Sequence, residues 1–406
     1  MNGISGGVLR TAHGEISLPA FFPDATRAAV RSLDAEDVSL TGTPGLVMNA
    51  YHLMRHPGGR VLSRLGGLHA FTGWRGPILT DSGGFQVYSL LRENSSLGSV
   101  RRNEVIFDAG GDGEKVALSP EKSVRFQVAA GSDIVMCLDW CTHPDDPSET
   151  NRQSVDTTIR WARKCRAEFD LLIEERLRRK RRSRVEPNGE EPDSLSGASE
   201  RPLLFAIVQG GRDETLRKEC AAALREIGFD GYAFGGWPLG ADRVLVKDVL
   251  ELTASLMPQD LPKYAMGVGK PENVVACARM GYNLFDSVIP TRDARHLRLF
   301  VFNASRLDEV DLSADDFYSA IYMQDKKYVS DSRPISEACD CYTCRNYSRA
   351  YLYHLFRVGD SLADRLATIH NLRFYAQLMG LLAKEVQGGN AGCSGEDGQD
   401  RGNPTA

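Results

Sequence analysis

The sequence predicts an α/β protein: a (β/α)8 barrel of the TIM type with a further helical subdomain inserted in it or appended to it. Short apolar runs of strand length recur eight times, each followed by a turn and then a helical pattern, which is the alternation of a parallel sheet. Eight such units favour a closed barrel over an open doubly wound sheet. The length, 406 residues, suits two or three average domains or one barrel with an appendage, and the eightfold alternation selects the barrel.

In chain order the runs are residues 20–22, 46–48, 78–79, 133–138, 203–208, 231–234, 264–268 and 284–289. Between them, Ser119-Pro120-Glu121 reads as a cap, a first-turn proline and an acid at the positive end of a helix dipole, and Gly131 stands where a C-terminal glycine belongs. Trp161, Cys165, Phe169 and Ile173 recur every fourth residue along the longest helix, as a core stripe does. Residues 1–300 are assigned to the barrel and 301–387 to the additional subdomain with the closing helices. Two segments fall outside the pattern. Residues 178–184 are nearly all basic and 185–200 are rich in Glu, Pro, Ser and Gly, so 178–200 reads as a frayed helix end running into a disordered loop. Solvated helix surface competes with a nucleic-acid contact for the basic run. Residues 388–406 are Gly-rich and polar and read as a disordered tail, in which Cys393 is given no role.

Charged residues at 25% and hydrophobic residues at 42% are ordinary for a globular protein, and the net charge of -5 excludes an overall basic coat while permitting a local basic patch. Residues 1–16 hold no apolar core of signal-peptide length and no later run would span a bilayer, so the expectation is a cytoplasmic protein with no membrane association. Nine cysteines, an odd number, are scattered except at Cys339, Cys341 and Cys344, which suggests free thiols and a metal site in place of a disulfide framework. Three thiolates on one tight turn supply three corners of a tetrahedral zinc. The fourth ligand is His354 or His370, and spacing does not choose between them. With no open coordination position the zinc is structural.

The chemistry centres on residues 283–295, an apolar run that carries Asp286, is stopped by Pro290 and is followed by Arg292 and Arg295. A buried carboxylate needs a reason, either an ion pair with an arginine such as Arg292 or a catalytic task. Barrel enzymes place their chemistry at the C-terminal ends of strands. Those positions are Asn49, Asp81 before the Ser82-Gly83-Gly84 turn, Asp139, Gln209 before Gly210-Gly211, Gly235-Gly236, Gly267, Gly269 and Asp286. Polar strand ends on glycine-rich turns are together better explained by a site for a polar planar ligand than by separate caps, which favours a functional Asp286.

Thr80-Asp-Ser-Gly-Gly-Phe-Gln-Val87, Gly131-Ser-Asp-Ile-Val-Met136 leading to Asp139, Ile207-Val-Gln-Gly-Gly211, Met266-Gly-Val-Gly-Lys-Pro271 and Phe285-Asp-Ser-Val-Ile-Pro-Thr-Arg292 resemble, in order, the motifs of tRNA-guanine transglycosylases, also called queuine tRNA-ribosyltransferases. The likeness runs to about Leu382. It implies a double displacement at the anomeric carbon of the guanosine at the first anticodon position. Asp286 would be the nucleophile, expelling guanine to leave a covalent ribosyl-enzyme, and Asp81 the general acid/base that deprotonates the incoming 7-deazaguanine base, with retention of configuration. Asp139, Gln209 and the Gly236 N–H would read the purine-like edge, and Phe85 and Met266 would sandwich the ring. The family pattern points to His370, in Thr368-Ile-His-Asn371, as the fourth ligand of one zinc per subunit, leaving His354 to packing or a polar contact. Lys270, Arg292 and Arg295 match positions that hold anticodon bases, while Lys263 and Arg298 read as solvated surface. The implied substrates are tRNAs with a G-U-N anticodon, those for aspartate, asparagine, histidine and tyrosine, bound by a homodimer.

A non-catalytic RNA-binding partner subunit of such an enzyme is the rival reading, and the presence of both Asp81 and Asp286 argues against it. A sugar hydrolase would need neither a stacked-base site nor the thiolate cluster. One stretch departs from the family: in Gly235-Gly-Trp-Pro-Leu-Gly-Ala-Asp242, Ala241 stands where bacterial members carry a glutamate, and Pro238 fixes a backbone angle nearby. Trp140 is a bulky departure beside Asp139. Either Asp242 replaces the missing acid, or the pocket is tuned away from the aminomethyl precursor base, toward queuine or toward guanine exchange alone. The expectation is altered base preference, with Leu239 on a side that would have to open for queuine.

Overall fold

The computed structural model describes residues 7–108, 115–183, 201–240 and 242–391. Its centre is a parallel sheet of eight short strands: β1 (Ala20–Pro23), β2 (Leu46–Met48), β3 (Ile78–Thr80), β4 (Ile134–Met136), β5 (Leu203–Val208), β6 (Gly231–Phe234), β7 (Lys263–Ala265) and β8 (Leu284–Ser287). Strands pair in the order β1-β8-β7-β6-β5-β4-β3-β2. The ring closes where Asp24, just past β1, bridges Val47 of β2, with Ala25 N–H donating to Val47 O at 2.7 Å. The (β/α)8 barrel expected from the sequence is therefore the fold. The strands are shorter than the apolar runs in three places. In the last run β8 stops at Ser287, and Pro290 does not stop a strand but lies in the first turn of the helix Ile289–Arg295, where a missing N–H costs nothing.

Alternation along the strands sorts the core into two layers. Ala20, Phe22, Val47, Leu79, Ile134, Met136, Phe205, Ile207, Ala233, Tyr264 and Leu284 fill the barrel interior. Residues of opposite phase, such as Phe21, Val135, Leu204, Val208 and Phe285, pack outward against the helices. The capped helix Pro120–Ala130 is as expected: Ser119 accepts from Lys122 N–H and Gly131 closes the far end in the left-handed region. Trp161, Cys165 and Phe169 of the helix Ser148–Ser183 are buried against it, and Ile173 is half-buried. Further on, Arg178 and Arg179 are exposed and pair with Glu174 and Glu175 one turn earlier, which is solvated helix surface. The rest of the anticipated loop, residues 184–200, lies outside the described residues, as does Ala241.

Three antiparallel pieces were not anticipated, two before β4 and one after β8. A hairpin, Gly7–Thr11 with Gly14–Leu18, plugs the N-terminal end of the barrel with Ile16 and Leu18. His13 at its turn stacks on His69 at 3.4 Å, and both rings reach the buried Asp133 carboxylate, at 2.8 and 3.2 Å. A three-stranded sheet, Gly98–Val100, Val105–Asp108 and Lys115–Leu118, is inserted between β3 and β4. Its strands are too short and mixed for periodicity to separate from loop.

After β8 the chain makes the helix Ile289–Arg295, a hairpin of Arg298–Phe302 with Tyr318–Tyr322, and the helices Tyr342–Asn346 and Arg349–Val358. The final helix, Ser361–Ala391, packs on the helix Ile289–Arg295 and on β1, so it fills the eighth outer position. It runs through Ala391, so residues 388–391 are helical where a disordered tail was expected, because a long helix already packed along its length extends at little cost. Residues 392–406, with Cys393, lie outside the described residues. Among the described residues no helix is long and apolar enough to cross a membrane.

Two polar residues stand elsewhere than expected. Lys263 is fully buried at the start of β7, the end of the barrel remote from the mouth, its ammonium donating to Ala254 O at 2.8 Å and Gln259 Oε1 at 3.0 Å. Its long stem needs burial and its head finds carbonyl-type partners, so it is not solvated surface. His354 is exposed on its helix and takes no part in packing.

Candidate active site

The inward phase that fills the barrel continues past the strands into polar groups. Leu79 is followed in phase by Asp81, Ile207 by Gln209, Tyr264 by Met266 and Leu284 by Asp286. Asp81 accepts hydrogen bonds from Asn49 Nδ2 at 2.6 Å, Ala50 N–H at 3.0 Å and Gly83 N–H at 3.0 Å. Burial outweighs these donors and, with the charge of Asp286, pushes its carboxyl up to about 7. Asp286 accepts from Gly267 N–H at 2.7 Å and from the Tyr264 phenol, and burial pushes it up to about 6. The ion pair with Arg292 does not form: that guanidinium lies 3.5 Å from Asp293. Two carboxyl groups within electrostatic reach, neither neutralised by a cation, are arranged for proton and nucleophile chemistry.

Beside them Asp139, nearly buried beyond β4, accepts from Gln209 Nε2 at 2.7 Å, and burial raises it to about 6. Gln209 is fully buried, and its Oε1 has no protein partner among the described residues. A buried amide oxygen left unpaired is an acceptor awaiting a ligand donor. Gly235 is required here: a Cβ would lie 2.6 Å from Gln209 Nε2. The Gly236 N–H faces the Cys141 sulfur. Phe85, 45% exposed, is on the first turn of the helix Gly84–Glu93, and half-buried Met266 follows β7. The Phe85 ring lies 5.8 Å from Trp237, which meets His143 at 5.1 Å, giving the mouth an aromatic wall.

Three groups that position this site were missed. Asn49 was named only as a strand end, yet it holds Asp81; Tyr264 holds Asp286 from below. Arg217, fully buried, donates to Val208 O, Gly211 O and Gly235 O, each at 2.9 Å, and so ties the two Gly-Gly turns together. Its signal was present: it falls in the stripe Leu216, Cys220, Ala221 and Leu224 on the buried face of the helix Glu214–Ile227.

On the rim, Lys270 is exposed before the helix Pro271–Arg279, Arg292 is half exposed, and Arg295 donates to Thr291 O at 2.8 Å. Arg298 pairs with Asp293 at 2.8 Å and so is not free solvated surface. Clefts of about 310 and 370 Å³ lie elsewhere, under the final helix, below the barrel and beside Phe107, and none includes a carboxylate of the mouth.

Away from the mouth, Cys339, Cys341, Cys344 and His370 bring their ligand atoms within 4.8 Å of one another, a cluster that could hold a metal ion. His370 Nδ1 is 3.7 Å from Cys341 Sγ and 3.3 Å from Cys344 Sγ. Its Nε2 is 2.7 Å from Phe300 O, which fixes the tautomer that leaves Nδ1 free to ligate. The Cys344 thiol is held far below its usual range, first by hydrogen bonds from Cys339 and Cys341.

A closed parallel barrel with paired acids, an amide and an aromatic wall at its C-terminal mouth, plus a remote three-thiol, one-imidazole cluster, defines a barrel enzyme. Sequence comparison makes this particular. A family model described as queuine tRNA-ribosyltransferase matches residues 5–392. A queuine tRNA-ribosyltransferase of Actinobacillus pleuropneumoniae serotype 3 (strain JL03) is 41% identical over 372 residues, 92% of this chain and 86% of that one. Those of Novosphingobium aromaticivorans and Shewanella sediminis are 40% and 39% identical over 383 residues, 94% of this chain and 91% and 90% of theirs. The chain belongs to the queuine tRNA-ribosyltransferase family.

Proposed function

We propose that this chain, as a tRNA-guanine transglycosylase, replaces guanine at the first anticodon position of G-U-N tRNAs with a 7-deazaguanine base. The observation that carries this reading is the pair Asp286 and Asp81, raised to about 6 and about 7 at one mouth with no cation on either. The ionised Asp286 attacks ribose C1′, the bond from C1′ to the base nitrogen breaks, and the departing guanine takes a proton from Asp81. The incoming base returns that proton to Asp81 and attacks C1′, releasing Asp286, so configuration is retained. Asp139 and Gln209 hold the base edge, the Gly236 peptide completes it, and Phe85 and Met266 cover the ring faces. Lys270, Arg292 and Arg295 hold the anticodon loop. The test is exchange of labelled guanine into tRNA by the purified chain alone: exchange supports the reading, and its absence favours a partner subunit.

Zinc is the proposed metal of the three thiols and His370, because the donor set is soft, tetrahedral and closed; bound there it would brace the lobe and supply no chemistry at the mouth. The proposed division is a catalytic barrel over residues 1–300 and a zinc lobe over 301–387, in a homodimer acting in the cytoplasm on tRNAs for aspartate, asparagine, histidine and tyrosine. Altered base preference is also proposed. Asp242 accepts from Val244 N–H at 3.0 Å within its own turn, which speaks against its standing in for the acid absent at Ala241. The half-buried Trp140 packs with the outer core, its carbonyl accepting from Ser154, which leaves Trp237 as the bulky group at the base. Competition of guanine, the aminomethyl precursor and queuine against labelled guanine tests this; strong preference for the precursor would refute it.

A further inference from the structure

The pleat that turns Asp81, Gln209 and Asp286 toward the mouth turns a further acid the same way. Ala20 and Phe22 of β1 face the barrel interior, so the next residue in phase is Asp24, just past the strand. Asp286 lies opposite Phe22 and Ser287 opposite Pro23, and Asp24 bridges Val47 on its other side. Asp24 thus stands one strand spacing, about 4.8 Å, from the strand of the nucleophile and slightly above it. Its charge is felt there, for it helps to raise Asp286 and acts on His52 and Arg295 across the mouth.

One oxygen of this carboxylate is taken. Asp24 Oδ1 accepts from Thr26 N–H at 3.1 Å and from the Thr26 hydroxyl, which fixes the group in orientation. Oδ2 has no protein donor among the described residues, and the half-buried side chain opens on the mouth. Arg295, a cation that feels this charge, spends a guanidinium donor on Thr291 O.

The stereochemistry of the substrate says what meets that oxygen. In a β-nucleoside the base and the 2′-hydroxyl are on opposite faces of the ribose. A carboxylate that displaces the base in line must approach C1′ from the face that carries the 2′-hydroxyl. The polar substrate atom beside the nucleophile is therefore the 2′-oxygen. We infer that Asp24 Oδ2 accepts a hydrogen bond from the 2′-hydroxyl of the nucleotide whose base is exchanged, so that Asp24 seats the ribose against Asp286 and distinguishes RNA from DNA. A hydrogen bond to this hydroxyl strengthens as the sugar ring gains positive character, so it favours the transition state over the bound substrate. The 2′-hydroxyl is also the group by which a protein separates the two nucleic acids.

The inference rests on the exchange at C1′ proposed above, and the test separates the two. Anticodon stem-loops would carry either guanosine or 2′-deoxyguanosine at the exchanged position in otherwise identical RNA. The parent protein should lose about 10- to 100-fold in kcat/KM on the deoxy substrate, the size of one charge-assisted hydrogen bond. Asp24→Asn keeps an oxygen for Thr26 but offers an N–H₂ group in place of Oδ2. It should lose a similar factor on the all-ribose RNA and lose nothing further on the deoxy RNA, with an unchanged melting temperature. Asp24→Ala, which also removes the acceptor for Thr26, should show the same loss on the ribose RNA and nothing further on the deoxy RNA. A variant that keeps the full ribose-to-deoxyribose ratio of the parent, or a parent that ignores the 2′-hydroxyl, overturns the role of Asp24 while leaving the exchange reaction standing. A parent that exchanges guanine on neither RNA overturns the reaction itself, and this inference with it.

Discussion

Asp286 is buried without a cation, and its two neutral donors do not restore its ordinary acidity. Ionising it costs stability as pH rises from about 4, the value of an unfolded aspartate, through about 6. Asp286→Asn should therefore melt higher than the parent at pH 8 and no higher at pH 4, while forming no covalent RNA adduct on denaturing gels and exchanging no guanine. A persisting adduct would place the nucleophile elsewhere. The first displacement needs Asp286 ionised and Asp81 protonated, so adduct formation in a single turnover should rise through about pH 6 and fall above about pH 7. Both limbs belong to the pair, since each charge acts on the other's proton. These acids were legible because each interrupts or ends an apolar run. Lys263 was misread because nothing in sequence says which end of a strand a lysine occupies or that its ammonium will find Ala254 and Gln259.

At the scale of elements, two ties can be cut separately. Arg217 joins the turns that follow β5 and β6, and Arg217→Ala takes this donor from Val208 O, which keeps Gly235 N–H, and from Gly211 O and Gly235 O, at about 1–3 kcal/mol for each carbonyl left unpaired. The urea midpoint should fall and KM for the incoming base should rise, since Gln209 and Gly236 ride on those turns. The metal lobe is the other tie. Cys341→Ser and His370→Ala should lose zinc by elemental analysis and unfold early, whereas His354→Ala should keep both metal and stability, its side chain being exposed. Zinc retained without His370 would refute the ligand set. Strand positions were readable because a strand buried on both faces is a continuous apolar run. The N-terminal hairpin and the three-stranded insertion were not, since their burial is partial and depends on what they cover.

For the whole molecule, a net charge of -5 means that tRNA must be drawn to a local patch and not to the protein at large. Lys270→Ala and Arg292→Ala should each weaken tRNA binding and lower the salt dependence of log K by about 1, because each removes one cation that neutralises RNA phosphate. A slope that stays the same would put the RNA elsewhere on the surface. Such a surface is legible only in part from sequence: the arginines are visible, but Arg298 is bound to Asp293, a contact that folding alone decides.

The pairing of β1 with β8 has a consequence in time. The first barrel strand of the chain must find the last, so its hydrogen bonds to β8 wait until the ribosome has made nearly the whole barrel. The plug hairpin and β1 leave the ribosome before the other barrel strands but cannot be sealed in. The final helix, which covers β1 and carries His370, is synthesised later still. A metal ion held by Cys339, Cys341, Cys344 and His370 would therefore be fully ligated only once that helix emerges. A nascent chain with that site filled would by then have placed the helix that ties β1 to the end of the barrel.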